Sequence, residues 1–212
     1  MLRHLKKFTI YGSVIVASSF DDDNFQGAVD EWIDDSTGAE DKYGPISDWD
    51  VSKVTSMEAT FEAAGAFDAD IGGWDVSKVT DMARIFYRAS TFNADIGAWD
   101  VSSVTTMYYA FRNAKAFNAD IGDWDVSKVT SLNHAFIGAG AFNAPIDDWD
   151  VSKVTGLTYA FYEARAFNQP IGDWDVSKLT TMEQTFSYAA FDQAEVRSAP
   201  WSVGAVCDRR SG

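Results

Sequence analysis

Six aspartates, Asp50, Asp75, Asp100, Asp125, Asp150 and Asp175, recur at a constant interval of 25 residues. A column of stacked carboxylates repels itself unless something offsets the charge, and a row of cations would do so. Calcium takes about six to eight oxygens, and two neighbouring aspartates with nearby backbone carbonyls could begin such a site. The competing reading is structural. Each of these aspartates is followed by Val-Ser, a context suited to an Asx-turn in which the carboxylate accepts a backbone amide two residues on. Lys53, Lys78, Lys128, Lys153 and Lys178 also lie three residues away, placed to neutralise the column. Catalytic chemistry has little to work with. The only histidines are His4 and His134. No nucleophile is paired with a base in a recognisable motif, and there is neither a phosphate-cradling glycine loop nor a histidine metal spacing. Asp148 and Asp150 could in principle share acid–base work, but carboxylates repeated at every coil mark a scaffold. We therefore expect no enzyme and no cofactor. The single cysteine, Cys207, excludes an internal disulfide and a thiolate metal cage.

The elements that position these residues are repeats. "WDVSKVT" begins at Trp49 and returns, nearly unchanged, at Trp74, Trp99, Trp124, Trp149 and Trp174, and a fixed period of this length implies stacked units. In one unit, from Phe92, the apolar places are Phe92, Ile96, Trp99, Val101, Val104, Met107, Phe111 and Ala114. Met107, Ala110, Phe111 and Ala114 follow the i, i+3, i+4, i+7 spacing of a helix, with Thr105 at the N-cap. In the first unit Thr55 and Glu58 form a capping box. Asp95 to Val101 is too short and too rich in Ile, Trp and Val for a helix, and reads as extended. An isolated unit buries too little apolar surface to offset the entropy of ordering it, so the units must stack. The expected fold is an α/β repeat: a right-handed, leucine-rich-repeat-like solenoid of six 25-residue coils, with parallel strands on one face and short helices on the other. Asn93, Asn118, Asn143 and Asn168 are then placed to bond backbone groups of adjacent coils.

A stack has ends to cover. "DDDNFQGAVDEW" predicts a capping helix with Phe25, Ala28, Val29 and Trp32 inward and its acids at the favourable end. Residues 1–20 have the outline of a signal peptide, basic then apolar. The alternative is a strand closing the first coil. The expected organisation is 1–20 signal peptide or cap strand, 21–45 capping helix and linker, 46–191 solenoid, and 192–212 a degenerate closing coil. No stretch reaches the length of a membrane span. With 17 Lys and Arg against 32 Asp and Glu, a net charge of −15, nucleic acid is not an expected partner.

Comparison of the units with one another separates what the fold dictates from what it leaves free. Two files vary: Ala59, Arg84, Tyr109, His134, Tyr159 and Gln184; and Glu62, Tyr87, Arg112, Ile137, Tyr162 and Ser187. They lie outside the apolar stripe and are rich in Tyr and Arg, the residue types that anchor interfaces. Arg84, Tyr87, Tyr109, Arg112, His134, Ile137, Tyr159 and Tyr162 are the candidate binding residues. The opposite surface, with Asp95 and Asp120, is the competing location.

The units "FNADIGAWDVSSVTTMYYAF" and "FNQPIGDWDVSKLTTMEQTF" resemble the BspA-type leucine-rich-repeat proteins, built on F-N-x-D-I-x-x-W-D-V-S-x-V-T-x-M, from about residue 25 to residue 191. The resemblance implies a curved solenoid, often at a cell surface, used in adhesion or protein recognition, with no catalytic residues to transfer. The chain departs from that pattern in showing no sorting signal or long C-terminal anchor. The resulting expectation is a monomeric, non-catalytic module that recognises a protein or glycan, secreted or at the cell surface, with the cytoplasm as alternative location. An acidic cation-binding scaffold built on the six aspartates is the alternative function.

Overall fold

The computed structural model describes residues 18–190 and, by backbone pairing alone, an antiparallel pair of short strands, β1 (Phe8–Ile10) and β2 (Ser13–Ile15). The expected closing coil at 192–212 lies outside the described residues. Two helices follow the strands, α1 (Phe25–Asp34) and α2 (Ser36–Tyr43). α1 turns Phe25, Ala28 and Val29 inward, as its spacing predicts. Trp32 packs edge-on against Trp49, with ring centroids 5.9 Å apart. Phe20 and Tyr43 cover other parts of the same indole. The first tryptophan of the repeat is thereby kept from water.

Beyond the cap, equivalent side chains of successive units lie on one another. Trp49, Trp74, Trp99 and Trp124 stack at 6.3–6.5 Å within 8° of parallel. Phe61, Phe86, Phe111, Phe136, Phe161 and Phe186 form a second column at 5.3–5.6 Å. A third, from Phe67 to Phe167, runs at 5.8–6.0 Å. Each buried indole must place its N–H. From Trp74 to Trp174 it donates to the isoleucine carbonyl 28 residues earlier, at 2.8–3.1 Å.

The expected helix within each unit is absent among the described residues, and so is the expected strand at Asp95–Val101. The segment read as helical instead joins the coils. The N–H groups of Met107, Tyr109, Phe111 and Asn113 donate to Ser131, Asn133, Ala135 and Ile137 of the next coil, while Ala110, Arg112 and Ala114 close turns on the carbonyl three residues back. Parallel bridges run from Ser56 through Asp81, Thr106, Ser131 and Gly156 to Thr181. The reason a helix loses is spacing. Packed helices sit about 8–10 Å apart, whereas these coils repeat at 5.3–5.6 Å where the segment's phenylalanines stack. Two linked turns bury the same residues and leave alternate amides free for the neighbouring coil.

These turns require left-handed backbone. Two residues per unit have positive φ, Ala59 and Ala63 in the first, Tyr109 and Asn113 in the third, Tyr159 and Glu163 in the fifth. Only Gly138, among all of them, is glycine. For other residues this conformation costs roughly 1–2 kcal/mol. The offset is visible in the bonding: in the first five units each left-handed residue donates its N–H to the next coil.

Thr55, Thr80, Thr105, Thr130, Thr155 and Thr180, expected as helix caps, form a ladder instead. From Thr80 on, the amide and the hydroxyl of each both donate to the threonine carbonyl of the preceding coil. Thr55, at the open end, has no such coil before it. Asp22 takes that place, accepting the Thr55 amide at 2.7 Å, its hydroxyl at 2.5 Å and the Ser56 amide at 3.2 Å. The expected Thr55–Glu58 capping box is thus replaced by a carboxylate from the cap.

The Thr55 hydroxyl, first, and then its amide hold the Asp22 carboxyl below the usual carboxylate range. A depressed native pKa stabilises the fold above the ordinary carboxylate pKa and ceases to do so as pH falls through the lowered value. Asp22→Ala is expected to cost about 1 kcal/mol near neutral pH, the exposed setting keeping the effect small. In urea titrations the gap between the two proteins should close under acid.

Candidate functional site

The two variable files lie in the segments whose amides join successive coils. All eight candidates, Arg84, Tyr87, Tyr109, Arg112, His134, Ile137, Tyr159 and Tyr162, are half-buried. The file beginning at Ala59 occupies the first left-handed position of each unit, so the turn geometry sets the direction of these side chains.

Six of the eight meet in one path. Tyr87 and Tyr109 touch edge to face at 6.1 Å. The Arg112 guanidinium lies over both, 5.4 Å from the first ring and 5.0 Å from the second. His134 follows, 4.5 Å from Tyr109 and stacked on Tyr159 at 5.5 Å. Tyr159 then meets Tyr162 at 5.4 Å. Arg84 stands apart, bridged to Glu58 at 3.2 Å and Glu62 at 3.6 Å. Ile137 makes no ring contact in the path, and its carbonyl accepts the Asn113 amide.

Three members were missed in the sequence. Tyr108 sits 4.2 Å from Tyr109 and 5.5 Å from His134, and is exposed. Arg88 lies over Tyr87 at 4.9 Å, and Tyr188 extends the path from Tyr162 at 5.4 Å. The signal was available, because their own files, Glu58 to Glu183 and Ala63 to Tyr188, vary between units as freely as the two chosen.

The electrostatics of the path are those of a cation held in rings. Burial, and then the Arg112 charge, lower the His134 pKa, so its imidazole is neutral at pH 7. The Tyr108 phenol is raised, first by its hydrogen bond with Tyr109.

The aspartate column is engaged in local structure. Asp50, Asp75, Asp100, Asp125, Asp150 and Asp175 each accept the serine amide two residues on, at 3.0–3.1 Å. The hydroxyl of that serine is the first cause holding Asp50, Asp125, Asp150 and Asp175 below the ordinary carboxylate range. Among the described residues no group of three or more His, Cys, Asp or Glu is placed to hold a metal ion. The asparagines join coils as their amides suggest: Asn93, Asn118 and Asn143 each accept the amide of the next asparagine in the file at 2.7–2.8 Å. On the competing surface, a shallow depression lined by Asp68, Asp70 and Asp95 has its carboxylates bonded to the amides of Asn93, Gly72 and Gly97.

Invariant columns inside and a changing aromatic-basic lining outside define a tandem-repeat protein whose units differ only where the fold permits. The chain belongs to the family described as "Mycoplasma protein of unknown function, DUF285", whose model matches residues 37–118 and 94–201. No curated protein and no solved structure matches the chain. Among the described residues no helix is long and apolar enough to cross a membrane.

Proposed function

We propose that this chain is a non-catalytic recognition module for a protein or glycan, its coils wound as a right-handed solenoid of the BspA-type leucine-rich-repeat kind. The observation that carries this reading is the unbroken run of ring contacts from Tyr87 to Tyr188 across successive coils. Tyr and Arg supply large contact area at interface centres, and a continuous row of them offers one surface to an extended partner. The reading carries with it a secreted or cell-surface location and a part in adhesion, which the BspA resemblance implies.

Replacing Tyr87, Tyr109, Tyr159 and Tyr162 together by Ser tests the surface. Immobilised wild type is expected to capture ligand from a glycan array or a surface-protein extract, and the quadruple variant to lose at least about tenfold in affinity while retaining the tryptophan fluorescence of the fold. Equal capture by the two proteins would dispose of the stripe. The cation-scaffold alternative is separated by thermal melting with excess calcium: a clear rise in Tm would favour it, and we expect none, because the carboxylates already accept backbone amides.

A further inference from the structure

Buried polar atoms without partners are rare in folded proteins, and each calls for an explanation. Among the described residues there are two on side chains, Arg112 Nε and His134 Nδ1. Both belong to the aromatic path and both border Tyr109. Arg112 makes no ion pair among the described residues, and its contacts are the faces of Tyr87 and Tyr109. Arg88 beside it likewise makes no ion pair among the described residues, whereas Arg84, in the same coil as Arg88, takes both Glu58 and Glu62. In a chain of net charge −15, acids are plentiful, yet none is supplied here. The fold has placed a guanidinium between two rings, left it uncompensated, and set a neutral imidazole next to it.

We propose that Arg112, held by Tyr87 and Tyr109 beside His134, anchors an acidic side chain of a protein partner. The inference rests on the recognition reading above and gives it a chemistry. A guanidinium pairs a carboxylate in a planar, two-bond geometry that an ammonium does not reproduce. The flanking rings exclude water from that pair and raise its strength. A polypeptide suits the surface better than a glycan. Interface centres between proteins are built from Tyr and Arg. The depressed His134 pKa fits the same picture, since burial and the unneutralised Arg112 both disfavour its protonated form.

The chain has only two histidines, so the His134 ring resonance can be assigned by its loss in His134→Gln and followed by NMR. Poly-L-glutamate is the probe, with neutral poly-L-glutamine as control and polygalacturonate as a carboxylate carried on a glycan, all at one ionic strength. Poly-L-glutamate is expected to shift the His134 resonance saturably and to move its titration midpoint upward, as a nearby anion must. Arg112→Gln should weaken the effect by about tenfold or more, and Arg112→Lys should restore only part of it. Tryptophan fluorescence establishes that each variant is folded, and Arg112→Met serves if the Gln variant is not. No response to poly-L-glutamate, or an equal response in Arg112→Gln, overturns the proposal. A response to polygalacturonate alone overturns it in favour of an acidic glycan. If Arg112→Gln responds normally while the four-Tyr variant does not, the subsite falls and the recognition surface stands.

Discussion

Phe111→Ala is expected to destabilise the protein by about 3–5 kcal/mol, the cost of a buried aromatic cavity. Phe111 is 1% exposed and stands at the middle of its column, with Phe86 at 5.5 Å above and Phe136 at 5.3 Å below. It also stacks on Phe117 at 4.1 Å and approaches Trp124 at 6.3 Å. Truncation therefore removes contacts to the coils on both sides as well as to its own. Phe61 is the informative comparison, because it heads the column and within it stacks on Phe86 at 5.4 Å. Phe61→Ala should cost clearly less. In a stack stabilised by nearest-neighbour interfaces, the central substitution should also broaden the unfolding transition, as the two halves lose their coupling. Urea denaturation followed by tryptophan fluorescence reads both effects. Equal destabilisation at the two positions would mean that the columns do not transmit stability between coils.

What the sequence disclosed and what it hid divide along a physical line. The Trp, Ile and Phe files were legible because a core residue must meet its own image in the next coil, and repetition writes that requirement openly. The Asn file was legible for the same reason, through its amide chemistry. The assignment of secondary structure inside the unit was not. Met107, Ala110, Phe111 and Ala114 point inward in a helix and equally in two consecutive turns with a left-handed residue at Tyr109 and another at Asn113. Glycine would have announced those turns, but only Gly138 does so. The inter-coil amide bonds that tolerate tyrosine, arginine and histidine there have no trace in a single unit. Likewise Asp22 capping Thr55 joins residues 33 apart with no periodic signal, since an end occurs once.

The candidate surface was half legible. Variability singled out Tyr87, Tyr109, Arg112, His134, Tyr159 and Tyr162, which do meet. It could not show that Arg84 is consumed by Glu58 and Glu62 whereas Arg112 is not, because ion pairing depends on the coil-to-coil offset. That offset also supplied Tyr108 and Arg88 as members.

Deletion of one whole period tests the register itself. Removing Phe92–Ala116 joins Thr91 to Phe117, which is equivalent to Phe92 in the unit before, and leaves every column continuous. Trp74 then faces Trp124, Phe86 faces Phe136, Asp81 bridges Ser131, and Thr80 offers its carbonyl to the Thr130 amide in place of Thr105. The shortened protein should fold with cooperative melting and lose about one unit's nearest-neighbour contribution to stability. It should also lose the Tyr109–Arg112 centre of the aromatic path, and with it the response to poly-L-glutamate. The same deletion stopped one residue short, at Lys115, puts the coils after the junction out of register with those before it. At that interface the Trp124 N–H misses the Ile71 carbonyl that would replace Ile96, and the Asn118 amide misses Asp68. Buried polar groups left unpaired cost roughly 1–3 kcal/mol each, a large share of a domain's roughly 5–15 kcal/mol margin. That chain is expected not to fold as a single unit. Circular dichroism and tryptophan emission compare the two directly, and similar folding of both deletions would mean that side-chain register is not what holds the coils together.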